Sequence, residues 1–393
     1  MTLSLDRLKP FSLDAPEAAM ADLRRRLAAY RPPPEPAGAG WRYGVDGQYL
    51  KALIDYWRES FDWRAAERRL NELPHYRARL DAEEDGQVDV HLIVQRAARP
   101  DAPVVLMTPG WPSSLIEYHD LIARLTAPER YGADPRSAVT VVAAELPGFG
   151  LSQPPRSPMA ARRMAELWRQ LMVDVLQVPA FVVHGGDWGA VVSSWLAFDH
   201  PEAVRGLHLS MLGLRPPLGR SERPLDEDEL AWVAEAKRRL DQDGGYREQQ
   251  ATKPTTLGVG LSDSPAALVA WLVEKYHGWS GAGPDQPPPF DRDAVLTAAT
   301  VYWIFGSLPA ANWIYWADRH VAGIGLAAGE RVLTPTGFAM FGGGFFPVPP
   351  RSWAERAYDV VAWDVHERGG HFPAWLTPEP VARSLLGFVD ALA

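Results

Sequence analysis

An α/β fold with a mostly parallel central sheet is predicted by three features of the sequence. Apolar, β-branched runs alternate with amphipathic helical stretches from Val88 to Leu214, and strands return at Arg331 to Phe341 and Val360 to Trp363. A glycine-rich turn, Phe181-Val182-Val183-His184-Gly185-Gly186-Asp187-Trp188-Gly189-Ala190, joins one such run directly to a helix. Between these parts, residues 215–320 hold helical segments with Pro- and Gly-rich joints and no convincing strand, as a lid inserted in a sheet domain would. Strands alternating with helices imply right-handed crossovers and place functional groups at the carboxyl ends of the strands.

Taken in order, residues 1–87 read as a helical extension. Asp14, Pro16 and Glu17 give a start signal, and Met20, Leu23 and Leu27 follow at helical spacing. Arg31 to Pro36 breaks that helix and opens a strap to Gly47; Tyr49 to Trp57 is a second amphipathic helix and Trp63 to Leu70 a third. Residues 88–214 form the first part of the sheet domain. Val88, Val90, Leu92 and Val94 alternate as in an edge strand, Val104–Met107 and Val139–Ala144 read as buried strands, and Met159 to Leu176 as a helix. The glycine-rich turn follows, then a strand from Val204 to Met211. Residues 321–393 complete the domain with the two returning strands, the segment Gly369-Gly370-His371-Phe372 and a closing helix from Pro380 to Leu392.

Composition narrows the function classes. At 393 residues and 47% hydrophobic content the chain can bury a large core. A formal charge of -9 without a long Lys/Arg tract argues against nucleic acid or an anionic membrane as partner. The absence of cysteine excludes disulfides, thiolate metal sites and a thiol nucleophile. Met1 to Lys9 lacks an apolar core, so neither signal peptide nor membrane anchor is expected there, and a soluble, cytoplasmic protein is the expectation. The 16 tryptophans are unusual, and those in the lid are candidates for lining an apolar pocket.

The glycine-rich turn has the outline of a nucleophile elbow whose tip residue is Asp187. Such an Asp can also simply cap the following helix; the flanking glycines favour presentation. A carboxylate, with an ordinary pKa of about 3.9, attacks at neutral pH without a base. Attack on an sp³ carbon leaves an alkyl ester, and a base is then needed to activate the water that cleaves it. His371 is the candidate base, and the backbone N–H groups of Trp111 and Trp188 are candidate oxyanion donors. Opening an epoxide further requires a proton for the ring oxygen, which a lid phenol, Tyr246 or Tyr315, would supply. Carbon–halogen cleavage would instead use indole N–H groups, with Trp188 among the candidates. Trp271, Trp303 and Trp313 are expected on the substrate pocket.

Over nearly its full length the chain resembles the microsomal-type epoxide hydrolases of the α/β-hydrolase superfamily. Asp22-Leu23-Arg24-Arg25-Arg26-Leu27, Tyr56-Trp57-Arg58 and Phe61-Asp62-Trp63 are similar to the family's N-terminal extension. His184 to Gly189 matches its nucleophile segment, and Gly369 to Phe372 its histidine segment. Thr252-Lys253-Pro254, Leu261 to Pro265, Glu274-Lys275, Trp279, Tyr302-Trp303 and Gly306-Ser307 look like its lid. The resemblance implies Asp187 as nucleophile, His371 as base, Tyr246 and Tyr315 as oxygen donors, and no metal or organic cofactor. The expected partners are a small apolar epoxide and water, and a homodimer is left open as the assembly.

Two positions depart from the family pattern. Pro109 stands where the family usually has the histidine of His-Gly-Trp-Pro. Gly344 stands where it has the glutamate that orients the catalytic histidine, and neither Asp364, Glu367 nor the loop after Met211, with no acid before Glu222, offers a motif-supported replacement. The leading expectation is an epoxide hydrolase forming a vicinal diol, in specialised metabolism or detoxification. The alternatives are a haloalkane dehalogenase with the same nucleophile, and an impaired binding or single-turnover homologue whose aspartyl ester persists.

Overall fold

The computed structural model describes residues 3–218 and 223–392. Its centre is a nine-stranded sheet of order β1-β2-β3-β5-β4-β6-β7-β8-β9. The strands are β1 (Lys9–Phe11), β2 (His75–Asp81), β3 (Gln87–Gln95), β4 (Val104–Thr108), β5 (Thr140–Ala144), β6 (Phe181–Gly185), β7 (Val204–Leu209), β8 (Val332–Phe341) and β9 (Tyr358–His366). From β5 through β9 all pairings are parallel, whereas β1, β2 and β3 join in antiparallel register. Every residue of β5 and β6 is buried, as continuous apolar runs covered on both faces require.

In the extension, α1 (Glu17–Ala28), α2 (Gly47–Glu59) and α3 (Trp63–Leu70) lie where the apolar spacing puts them. Asp46 and Asp62 cap α2 and α3 by accepting from Tyr49 N and Ala65 N. The extension is not purely helical, however: it also supplies β1 and β2, so β3 is third from one end and not an edge strand. The strap after α1 carries Trp41, which stacks on His277 of the lid at 4.0 Å. Trp57 Nε1 donates to Thr300 Oγ1 at 3.0 Å and Arg26 pairs with Asp263 at 3.0 Å. The extension thereby pins the lid to the sheet domain.

The sheet is flanked by α4 (His119–Thr126), α5 (Ala161–Arg169) and α6 (Asp187–Asp199). The helix expected over 159–176 is α5 followed by a wider π turn, Gln170–Val175. The lid comprises α7 (Glu227–Asp243), α8 (Gly245–Thr252), α9 (Pro254–Asp263), α10 (Pro265–Gly278), α11 (Arg292–Phe305), α12 (Leu308–Ala311) and α13 (Trp313–His320). Its only ladder contact among the described residues is one bridge, Arg215 with Gly325. The chain ends with α14 (Arg351–Ala354), α15 (Pro373–Leu376) and α16 (Pro378–Ala391). No single helix among the described residues is long and apolar enough to cross a membrane.

A buried polar relay fixes the loops above the sheet. His75 Nδ1 lies 2.8 Å from His91 Nε2, and His91 Nδ1 lies 2.9 Å from Glu145 Oε2. Glu145 also accepts from Leu151 N at 2.7 Å and Leu115 N at 3.2 Å. Leu115 opens the 3₁₀ turn Leu115–Tyr118, so this network anchors the segment that follows the Trp111 loop.

Candidate active site

Asp187 sits where β6 ends and α6 begins, with φ at +48°. That left-handed conformation costs a non-glycine residue about 1 kcal/mol or more and is found where surrounding structure over-determines it. Close backbone approach supplies the constraint. A Cβ on Gly189 would sit 1.9 Å from Thr108 O, and one on Gly110 would sit 2.2 Å from Asp187 Oδ1. The glycines thus bring α6 against the end of β4, and the side chain of Asp187 against the Trp111 loop. Trp111 N donates to Asp187 Oδ1 at 2.7 Å. Trp188 is the second residue of α6, whose N-terminus has no side-chain cap, so its N–H belongs to the turn that α6 directs at the same carboxylate.

His371 reaches Asp187 from the loop after β9. Its Nε2 lies 3.2 Å from Asp187 Oδ2, yet the alignment is not that of a hydrogen bond and Nε2 is buried without a partner. The backbone is fixed by His371 N donating to Trp279 O at 2.8 Å, and the ring packs edge-on against Trp279 at 4.9 Å. Gly344 does lie beside this histidine: a Cβ there would be 3.4 Å from His371 N. Among the described residues Asp187 is the only carboxylate in ion-pair range of the imidazole. Asp364 is engaged by Ser384 Oγ at 2.5 Å, and Glu367 is exposed. Glu222 lies outside the described residues. The ring is therefore oriented by aromatic packing and a backbone bond.

Tyr246 on α8 and Tyr315 on α13 face the carboxylate from the lid. Their ring centroids are 5.9 Å apart, Tyr246 stacks on Trp111 at 5.3 Å, and Tyr315 meets Trp188 edge-on at 5.0 Å. Arg247 with Asp318 at 3.3 Å and Arg319 with Glu248 at 2.6 Å tie the two helices together, which holds the phenols in register. Burial raises the pKa of the Tyr246 phenol well above its ordinary value, and the charge of Asp187 adds to it. Burial does the same at Tyr315, reinforced by Tyr246 and then Asp187.

Asp187, His371, Tyr246 and Tyr315 open onto one cavity of about 530 Å³. Its walls are largely apolar, with Met211, Leu212, Trp232, Leu240, Phe345 and Val348 among them. Trp271, Trp303 and Trp313, expected here, do not line it. Trp271 Nε1 donates to Gln250 Oε1 at 3.1 Å, and Trp303 packs under Arg26 of the extension. Trp313 precedes Tyr315 by two residues, which on a helix turns it to the opposite face. The tryptophans on the cavity are instead Trp188, Trp232, Trp279 and Trp353.

One acidic residue near the nucleophile is absent from the motif-based set. Glu117, in the 3₁₀ turn after the Trp111 loop, is 8% exposed and lies with Asp187 and His371 on a second, much smaller cavity. Its only sequence signal is an acid in an otherwise apolar stretch, Leu115-Ile116-Glu117-Tyr118. Among the described residues no group of three or more His, Asp or Glu side chains is arranged to hold a metal ion.

Comparisons with known proteins agree with this architecture. Residues 8–118 match the family model described as epoxide hydrolase N terminus, and residues 103–271 match the alpha/beta hydrolase fold. A putative epoxide hydrolase of Stigmatella aurantiaca is 35% identical over 96% of this chain and 84% of its own length. Epoxide hydrolase 1 of Oryctolagus cuniculus is 30% identical over 98% of this chain and 89% of its own. Among solved structures, the epoxide hydrolase of Aspergillus niger superposes with a TM-score of 0.84 at 26% identity, covering 100% of this chain and 98% of that one. The juvenile hormone epoxide hydrolase of Bombyx mori gives 0.82 at 26% identity, over 99% and 94%.

Proposed function

Because the chain belongs to the epoxide hydrolases of the α/β-hydrolase fold, we propose that it converts an apolar, aryl- or alkyl-substituted epoxide to a vicinal diol through an alkyl ester on Asp187. The observation that carries this reading is the convergence of one carboxylate, two phenols and one imidazole on a single apolar cavity.

With Oδ1 held by the Trp111 N–H, Oδ2 of Asp187 attacks a ring carbon, the C–O bond of the epoxide breaks, and the ring oxygen takes a proton from Tyr246 or Tyr315. Both phenols remain protonated through neutral and alkaline pH because burial and the Asp187 charge oppose their ionisation, and an alkoxide is basic enough to take the proton. Water then adds to the ester carbon while His371 removes its proton. The Trp111 and Trp188 N–H groups face the oxyanion that forms. The ester C–O bond breaks, the diol leaves, and the proton returns to the phenolate, so that epoxide and water are consumed one for one.

The apolar walls favour aryl or alkyl substituents over charged ones. The haloalkane reading fares less well, since the Trp188 indole, its halide donor, is packed edge-on with the Tyr315 ring. Purified protein is expected to turn styrene oxide into its diol and to release no halide from bromoalkanes. In the Tyr246→Phe/Tyr315→Phe double variant the ring-opening step is expected to slow by about 10²- to 10³-fold, the range for losing oxygen-stabilising donors. Stopped-flow tryptophan fluorescence follows that step, and a double variant as fast as the parent would remove the phenols from the mechanism.

A further inference from the structure

We propose that the small cavity behind Asp187 seats the hydrolytic water, and that Glu117 is the second group that holds it, beside His371. This rests on the aspartyl-ester reading above and adds to it Glu117, which lies outside the motifs read in the sequence.

The two cavities share Asp187, Ser210 and His371, which form the wall between them. The larger one takes the substrate from the lid side. The smaller, bounded by Gly110, Ser113, Glu117, His184 and Phe372, approaches the carboxylate from behind. About 10 Å³ is open there to the centre of a water molecule, near the lower limit for holding one water, which also needs two to four polar partners. They are present: the Glu117 carboxyl, the Asp187 carboxylate and the His371 imidazole all line it, and His371 Nε2 is a buried nitrogen with no other hydrogen bond. A water here sits against Asp187 in the smaller cavity, while the alkyl group of the ester occupies the larger one. His371 accepts one O–H of that water and Glu117 the other, leaving a lone pair for the carbon.

Glu117 is suited to this in its neutral form. Burial pushes its pKa up to about 8, Asp187 adds to the shift, and the Ser113 hydroxyl opposes only part of it. No Lys or Arg lines the small cavity, and burial pulls His184 down to about 4, so that imidazole is neutral at working pH. The nearby phenols are committed elsewhere. Tyr118 donates to Thr108 O at 2.9 Å, Tyr276 to Pro112 O at 3.2 Å, and Tyr302 to Ser113 O. A neutral carboxyl still offers a carbonyl oxygen to a water, and it avoids a second negative charge beside the nucleophile.

The test is a single-turnover experiment with styrene oxide, in which intact-mass spectrometry follows ester formation and decay on wild type, Glu117→Leu, Glu117→Gln and His371→Gln. In Glu117→Leu the ester should form at the wild-type rate, which also certifies the fold, and decay about 10- to 100-fold more slowly. Glu117→Gln, whose amide oxygen can accept the same O–H, should recover most of that loss. Normal ester formation in Glu117→Leu with decay at the wild-type rate overturns this inference and leaves the ester mechanism standing. Equally slow decay in the Leu and Gln variants also overturns it, because a lost water acceptor is then not the cause. If no ester forms even in His371→Gln, the ester reading falls and this inference with it.

Discussion

Asp187→Asn is expected to lower epoxide turnover by about 10⁴-fold or more, the scale seen when a covalent nucleophile is removed. The substitution isolates chemistry from folding. Asn tolerates the left-handed backbone that Asp187 adopts at φ +48°, and its amide oxygen can still accept from Trp111 N. The melting temperature should therefore move by less than about 1 °C, the equivalent of under about 1 kcal/mol for a chain of this length. Asp187→Ala would be a poorer test, since alanine adds roughly 1 kcal/mol of strain at that φ. Diol formation by chromatography and a thermal melt decide the matter, and Asp187→Asn turning over near the wild-type rate would exclude the carboxylate as nucleophile.

The next largest effect is expected from His371→Gln. Removal of a general base costs about 10²- to 10⁴-fold, and here the loss should fall on ester hydrolysis alone. Ring opening uses Asp187 and the lid phenols, so it should proceed, and the protein should gain the mass of one epoxide and keep it. Apparent KM should fall together with kcat, because a slow second step lets the ester accumulate. The actual penalty depends on what orients the imidazole. Without a carboxylate at Gly344, the ring is held by its backbone bond to Trp279 O and by packing on the Trp279 indole. Equal loss of ring opening and ester hydrolysis would mean that His371 acts in the first step as well.

How much of this was legible in the sequence differs from element to element. The elbow was, because a buried parallel strand reads as an unbroken apolar run and the turn after it needs glycine at the points of closest approach. The extension's helices were, through their apolar spacing and Asp caps. Its strands were not: β2 reads His75-Tyr76-Arg77-Ala78-Arg79-Leu80-Asp81, whose charges point outward only once β1 and β3 have paired with it. The two phenols could be nominated from the lid's composition, but their convergence depends on the Arg247–Asp318 and Arg319–Glu248 pairs, which join segments far apart in the chain. The three misplaced tryptophans show the limit of counting aromatics. A helix residue two positions from a cavity-facing one looks away from it, and no local pattern says which face the fold will turn inward. Glu117 escaped for the converse reason: an acid on a short turn normally points to water, and only the packing of the Trp111 loop, the elbow, the histidine loop and α15 around it buries it.

The central claim is that Asp187 and not water attacks the epoxide. A single turnover with enzyme in excess, run in ¹⁸O-labelled water, tests it most directly. The ester mechanism predicts that the first diol carries no label and that the peptide containing Asp187 gains one ¹⁸O atom. Label in that diol together with an unlabelled Asp187 would contradict it.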